Sequence, residues 1–144
     1  AHRLLRRVGL GGRTDDLPAT LSGGMRQRAA LVRTLIEDRP VALLDEPFSA
    51  LDAITRFELQ GLAATLLAGR TVLLVTHDPL EALRLGHRIH VMYGRPARLD
   101  GALMPAGAPP RDVTDPALLA LQGDLLTRLG AAKRAEPEEA EAAT

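Results

Sequence analysis

Two short aliphatic runs dominate the hydropathy pattern, Val41-Ala42-Leu43-Leu44 and Thr71-Val72-Leu73-Leu74-Val75. Neither alternates with polar residues. Pro40 and Pro47 bound the first and Gly69 precedes the second, so each reads as a strand buried on both faces of a parallel sheet. The stretches between them carry helical spacing. Residues 2–8 place Leu4, Leu5 and Val8 on one face, and Gly9-Leu10-Gly11-Gly12 stops that helix. Ser22 is a good N-cap for a helix over 23–37, with Ala29, Ala30, Leu31, Leu35 and Ile36 turned inward. Asp52 caps a helix over roughly 53–68, with Ile54, Phe57, Leu62 and Leu66 on its apolar side and Gly69 at its end. Asp78-Pro79-Leu80-Glu81 supplies an N-cap, a proline at the first helical position and an acid at the third, and this helix ends near Gly86. Ile89 to Tyr93 reads as a strand turned by Gly94-Arg95-Pro96. Pro116 to Leu129 reads as a terminal helix.

Strand, helix, strand, helix, strand is the rhythm of an α/β layered domain, whose chemistry collects at the carboxyl ends of its strands. Asp45-Glu46 follows the first strand directly. Thr76-His77-Asp78 follows the second. Paired carboxylates after four buried aliphatics cost several kcal/mol to desolvate unless a cation or hydrogen bonds compensate. Ser22-Gly23-Gly24 opens a helix with free N–H groups, which favour an anion.

Composition narrows the classes. The chain has 144 residues, one domain of ordinary size, and its three aromatics leave a core of Leu, Val, Ile and Ala. Formal net charge is zero, so no global field argues for nucleic acid or a membrane surface. Charge is uneven, with eight Arg against four acids in 1–39 and four Glu in 136–141, which read as solvated surface and a loose acidic tail. Absence of cysteine excludes a disulfide framework and a thiolate metal site. No apolar run reaches the ~18–20 residues of a membrane helix. Ala1 in place of Met suggests that the natural N-terminus lies upstream.

In order and spacing, Leu21-Ser22-Gly23-Gly24-Met25-Arg26-Gln27-Arg28, the run into Asp45-Glu46-Pro47, Ser49-Ala50-Leu51-Asp52 and His77 resemble the signature motif, Walker B strand, D-loop and switch histidine of an ABC-transporter ATPase subunit. The cues Leu-Ser-Gly-Gly-Met, Glu46 to Asp52 and Tyr93-Gly94-Arg95-Pro96 resemble the importer branch for nitrate, taurine, sulfonates and thiamine precursors. The resemblance covers about residues 1–95. It implies the C-terminal part of a P-loop NTPase-type α/β domain over 1–103, a mainly parallel sheet flanked by helices with the Walker A half missing, followed over 104–144 by a linker, a terminal helix and a disordered acidic tail.

The same resemblance implies ATP and Mg²⁺ as ligands. Asp45 would lie in the magnesium shell. Glu46 would hold the attacking water as general base or positioner, and His77 would contact the γ-phosphate. Ser22, Gly23 and Gly24 would bind the γ-phosphate of ATP held by the opposite subunit, and Asp52 would cross the dimer interface. Implied partners are a second ATPase subunit, membrane-embedded permease subunits and, indirectly, a solute-binding protein, with no nucleic acid. The implied location is peripheral, on the cytoplasmic face of the membrane. Met25 departs from the commoner Gln.

The phosphate-gripping Walker A loop is the expected absence. Gly9-Leu10-Gly11-Gly12-Arg13-Thr14 is no substitute, since no lysine follows it and the chain's one lysine is Lys133. The glutamine-bearing loop that precedes the signature is also missing. The chain therefore reads as a truncated importer subunit, inactive alone. The alternatives are a non-transport ABC-type ATPase and a cassette-derived module that binds a partner without nucleotide.

Overall fold

The computed structural model describes residues 2–37 and 39–141. Among the described residues, five α-helices and four strands follow one another as α1 (His2–Arg7), α2 (Gly23–Ile36), β1 (Val41–Asp45), α3 (Ala53–Leu66), β2 (Thr71–Val75), α4 (Pro79–Leu85), β3 (Met92–Tyr93), β4 (Arg98–Leu99) and α5 (Pro116–Glu141), with a short 3-10 turn at Pro18–Thr20. They divide into two compact units, Ala1–His77 and Asp78–Thr144. No helix among the described residues is long and apolar enough to cross a membrane.

Capping chemistry sets the helix starts. Ser22 Oγ accepts the Met25 N–H at 3.3 Å and opens α2. Asp52 accepts the Thr55 N–H at 3.0 Å and opens α3. Asp78 accepts the N–H groups of Leu80 and Glu81 at 2.9 and 3.3 Å and opens α4. Each occupies otherwise orphaned amide donors of a first turn.

In the first unit β1 and β2 pair in parallel, with Val41 opposite Thr71 and Asp45 opposite Val75. Both strands therefore end at the same level. Leu31, Val32 and Leu35 of α2, Ala42 and Leu44 of β1, Phe48, and Leu59, Leu62 and Ala63 of α3 are buried.

The expectation of strands covered on both faces is corrected here. Burial alternates along β1, with Val41, Leu43 and Asp45 exposed, and no residue of β2 is fully buried. Leu43 is 71% exposed and Leu73, its partner across the ladder, 60% exposed. The apolar runs report a sheet able to be covered twice; this one has two strands and one covered face. Ala30 and Ile36 of α2 and Ile54 and Phe57 of α3 are likewise exposed rather than turned inward. Burying a leucine side chain stabilises by roughly 1.5–3 kcal/mol, and an open apolar face with bare strand edges is a template for association. The chain is expected to self-associate in sedimentation velocity, and Leu43→Lys with Leu73→Lys to move it toward monomer. A single monomeric boundary for the unmodified chain at every concentration would contradict this.

In the second unit, the strand expected over 89–93 does not extend the parallel sheet. Its end pairs antiparallel with β4, Met92 with Leu99 and Tyr93 with Arg98, and Ile89 bridges Leu103. Gly94, at φ 75, takes the turn between them. Leu83, Ile89, Val91, Leu103, Leu118 and Leu125 form the core of this unit.

Arg111 is 8% exposed. Its guanidinium donates to the carbonyls of Leu83 and Gly86 (both 2.9 Å), Pro105 (3.0 Å), Ala106 (2.7 Å) and Gly107 (2.8 Å). This one side chain ties the Pro- and Gly-rich stretch to the end of α4. Burial pulls its pKa below the usual guanidinium value.

Helix α5 runs beyond Leu129 to Glu141, through residues read from composition as tail. Ala, Lys, Arg and Glu there are strong helix formers, so low hydrophobicity does not prevent a helical backbone. Residues 142–144 of the expected tail lie outside the described residues.

Candidate functional site

The parallel register of β1 and β2 builds the site. Asp45 closes β1 opposite Val75, so Glu46 lies one residue past the first strand end and His77 two residues past the second. Glu46 N–H donates to the Val75 carbonyl at 2.9 Å, adding one rung beyond the ladder. Although 31 residues apart in sequence, His77 Nδ1 lies 2.6 Å from Glu46 Oε1. A ring whose Nδ1–H donates to the carboxylate keeps Nε2 as an acceptor when neutral. The carboxylate orients the imidazole, and the imidazole occupies one carboxylate oxygen. Asp45 is exposed at the same strand tip.

Glu46 has φ 48 and is the one non-glycine residue with positive φ among the described residues. A left-handed backbone costs an L-residue about 1–2 kcal/mol, and such strain concentrates at functional sites. It precedes Pro47, whose ring narrows the conformations of the residue before it. Glu46→Gly is therefore expected to unfold about 1 kcal/mol higher than Glu46→Ala in urea, because both lose the carboxylate and glycine alone loses the strain. Equal stability of the two variants would contradict a left-handed Glu46.

The loop after Glu46 is held from several sides. Phe48 is fully buried. Arg56 donates to the carbonyls of Phe48 and Leu51 at 3.2 and 2.8 Å. Asp52 caps α3, and hydrogen bonds from the Thr55 backbone and then its side chain hold its carboxyl below the usual carboxylate range.

Ser22 and Gly23 are exposed at the start of α2. Gly24 lies against the Glu46–Asp52 loop, for a β-carbon there would come within 3.2 Å of the Ala50 carbonyl oxygen. Gln27 spans the same gap with three hydrogen bonds, to the Glu46 carbonyl, Ser49 Oγ and the Ala50 N–H. The glycine-led helix start, Glu46, its loop and His77 thus share one neighbourhood of the first unit. Sequence reasoning passed over Gln27 and Arg56. The signal that would have found Gln27 is its spacing, one turn beyond the glycine pair on a helix facing the acidic strand tip.

The arrangement offers an oriented carboxylate–imidazole pair, a second carboxylate at a strand end and a helix start with free amide donors. The last suits an anion, and the carboxylates suit a hard cation.

Comparison with known proteins shows what this sequence is similar to. A family profile described as "ABC transporter" matches residues 1–49. An uncharacterized ABC transporter ATP-binding protein of Haemophilus influenzae is 47% identical over 133 residues, covering 90% of this chain and 55% of that protein. The aliphatic sulfonates import ATP-binding protein SsuB 1 of Pseudomonas syringae is 49% identical over 129 residues, 88% of this chain and 54% of that protein. SsuB 2 of Burkholderia lata is 48% identical over 126 residues, 86% and 46% respectively. In sequence the chain is similar to ABC-transporter ATP-binding proteins. It spans about half the length of these relatives.

Proposed function

We propose that this chain supplies one half of an ATP site in the energising subunit of an importer for a small solute. The observation that carries the reading is the 2.6 Å contact between His77 Nδ1 and Glu46 Oε1 at adjoining strand ends, next to a glycine-led helix start. Asp45 is the residue to hold Mg²⁺, which commonly binds one or two carboxylates plus phosphate and water oxygens. Bound there, the ion would neutralise phosphate charge. Among the described residues no three or more His, Cys, Asp or Glu gather into an all-protein cage, so the fit is to an ion shared with a nucleotide.

Glu46 positions a water and takes its proton at Oε. His77, oriented through Nδ1, reaches phosphate through Nε2 when the ring is an imidazolium, whose second N–H donates. Ser22, Gly23 and Gly24 offer hydroxyl and backbone donors to the terminal phosphate of a nucleotide held on a second subunit. Asp52 fixes the loop that runs between these elements. Phosphoryl transfer is mostly positioning and charge stabilisation, and these residues provide both.

The phosphate loop and its lysine come, in this proposal, from residues outside the 144. The whole protein would pair with a second copy and with membrane-spanning permease subunits that receive cargo from a solute-binding protein. Its place would be peripheral, on the cytoplasmic face. Names of the SsuB relatives make an alkyl sulfonate the first cargo to test.

The test joins this chain behind the N-terminal part of the P. syringae relative. Calorimetric titration with MgATP is expected to show binding by the folded chimera, and none by the 144 residues alone. Magnesium-dependent, vanadate-sensitive ATP turnover by the 144 residues alone would overturn the division of labour.

A further inference from the structure

Every side-chain hydrogen bond of Gln27 goes to the short loop that carries Glu46. Its Nε2 donates to the Glu46 carbonyl at 2.5 Å and to Ser49 Oγ at 3.1 Å, and its Oε1 accepts the Ala50 N–H at 2.9 Å. Ser49 Oγ donates in turn to the Glu46 carbonyl at 3.0 Å. With the Ser49 N–H at 3.3 Å, that carbonyl receives three donors, one from α2 and two from Ser49 of its own loop. On the other side of the residue, Glu46 N–H donates to Val75 of β2 at 2.9 Å. Glu46 is held at both of its peptide groups, by β2 before its α-carbon and by α2 after it.

These are the bonds that a strained residue needs. At φ 48 the backbone of Glu46 resists its own conformation. A part-buried carbonyl loses stability when its donor is removed. The direction in which a side chain leaves the backbone follows φ. The 2.6 Å contact with His77 thus depends on φ staying positive. Gly24 is a second, independent sign that α2 and this loop are fitted to each other, since a side chain there would press on the Ala50 carbonyl.

We propose that Gln27 is a positioning residue: its amide holds Glu46 in the left-handed conformation, and so sets the carboxylate against His77. The start of α2 and the carboxylate tip then move as one body. In the reading given above, where the first grips the phosphate of a nucleotide on a second subunit and the second holds water beside this chain's own nucleotide, Gln27 couples the two sites. Only that functional meaning rests on the reading; the dependence of the His77 contact on Gln27 stands on geometry alone.

The test uses the 144-residue chain labelled with ¹⁵N-histidine, its His77 signals assigned by Histidine-to-glutamine replacement, His77→Gln. Nitrogen shifts at high pH, where imidazole is neutral, distinguish the two tautomers. The unmodified chain is expected to hold His77 as the Nδ1–H form. Gln27→Leu removes both ends of the amide and is expected to lose that form. Gln27→Glu keeps an acceptor for Ala50 N–H but sets an acceptor against the Glu46 carbonyl, and is expected to lose it too, which covers the case in which the leucine variant does not fold.

Arg28→Met is the control, because the side-chain hydrogen bonds of Arg28 go to the carbonyls of Val8 at 2.9 Å and Gly24 at 3.4 Å and not to the loop. It is expected to keep the Nδ1–H form. Persistence of that form in folded Gln27→Leu or Gln27→Glu, its absence from the unmodified chain, or its equal loss in Arg28→Met would overturn the proposal. None of these readouts involves nucleotide, so failure of MgATP to bind the chimera leaves them unaffected.

Discussion

In the chimera that completes the nucleotide site, Glu46→Gln is expected to lower ATP turnover by ~10²–10⁴-fold, the usual contribution of a positioned general base. MgATP affinity is expected to stay within a fewfold of the parent. The amide preserves size and can still accept the Nδ1–H of His77, now 2.6 Å from Glu46 Oε1. It cannot take a proton from water. The loss therefore belongs to the chemical step and not to binding, and appears in kcat. His77→Gln is a useful partner, since the two side chains form one hydrogen-bonded unit and their losses should not add. Turnover by Glu46→Gln equal to the parent would remove Glu46 from the reaction. A loss of affinity matching the loss of rate would make it a binding residue instead.

Arg111→Met is expected to cost the chain about 1–3 kcal/mol of stability, the range for leaving buried acceptors without their donor. Methionine replaces much of the aliphatic stem but none of the donors. The carbonyls of Leu83, Gly86, Pro105, Ala106 and Gly107 are then left to find water. Each hydrogen bond from a charged group is worth roughly 1.5–3 kcal/mol alone. The five do not sum, because the buried guanidinium itself loses solvation, the same burial that lowers its pKa. Arg111→Lys keeps the charge without the planar fork and should fall between the two. Tyr93 is the chain's one tyrosine, the chain has no tryptophan, and Tyr93 lies in the same unit. Its fluorescence in urea reads this unit directly. A methionine variant within ~0.5 kcal/mol of the parent, the range of an ordinary surface change, would contradict the clamp.

Local chemistry was the legible part of this sequence. Ser22, Asp52 and Asp78 cap the helices they were expected to cap, because a cap needs only a side chain and a free amide three residues on. The two aliphatic runs became the two parallel strands, and their register put Glu46 and His77 together. Long-range hydrogen bonding was not legible. Gln27 reaches a carbonyl 19 residues away, Arg111 reaches two at 25 and 28 residues, and Arg56 reaches two across its own loop; helical spacing marks the face that Gln27 lies on but not the carbonyl it meets. The left-handed backbone of Glu46 was hidden for a related reason, since glutamate has no preference for it and neighbours impose it.

The open sheet face was misread because aliphatic content records what a strand tolerates against it, whereas coverage depends on what else is present. Leu43 and Leu73 satisfy the pattern for burial and stand exposed. Ile54 and Phe57 of α3 carry the same lesson on a helix.

The central claim is that the Glu46–His77 pair and the α2 start are parts of nucleotide sites, the first for a nucleotide held with this chain and the second for one held on a second subunit. Calorimetric titration of MgATP into the folded chimera, beside Ser22→Ala and Asp45→Asn versions of it, measures this most directly. The account predicts binding by the parent chimera, with the magnesium dependence weakened by Asp45→Asn. A folded chimera that takes up no MgATP, or one whose affinity is indifferent to both magnesium and Asp45, would contradict it.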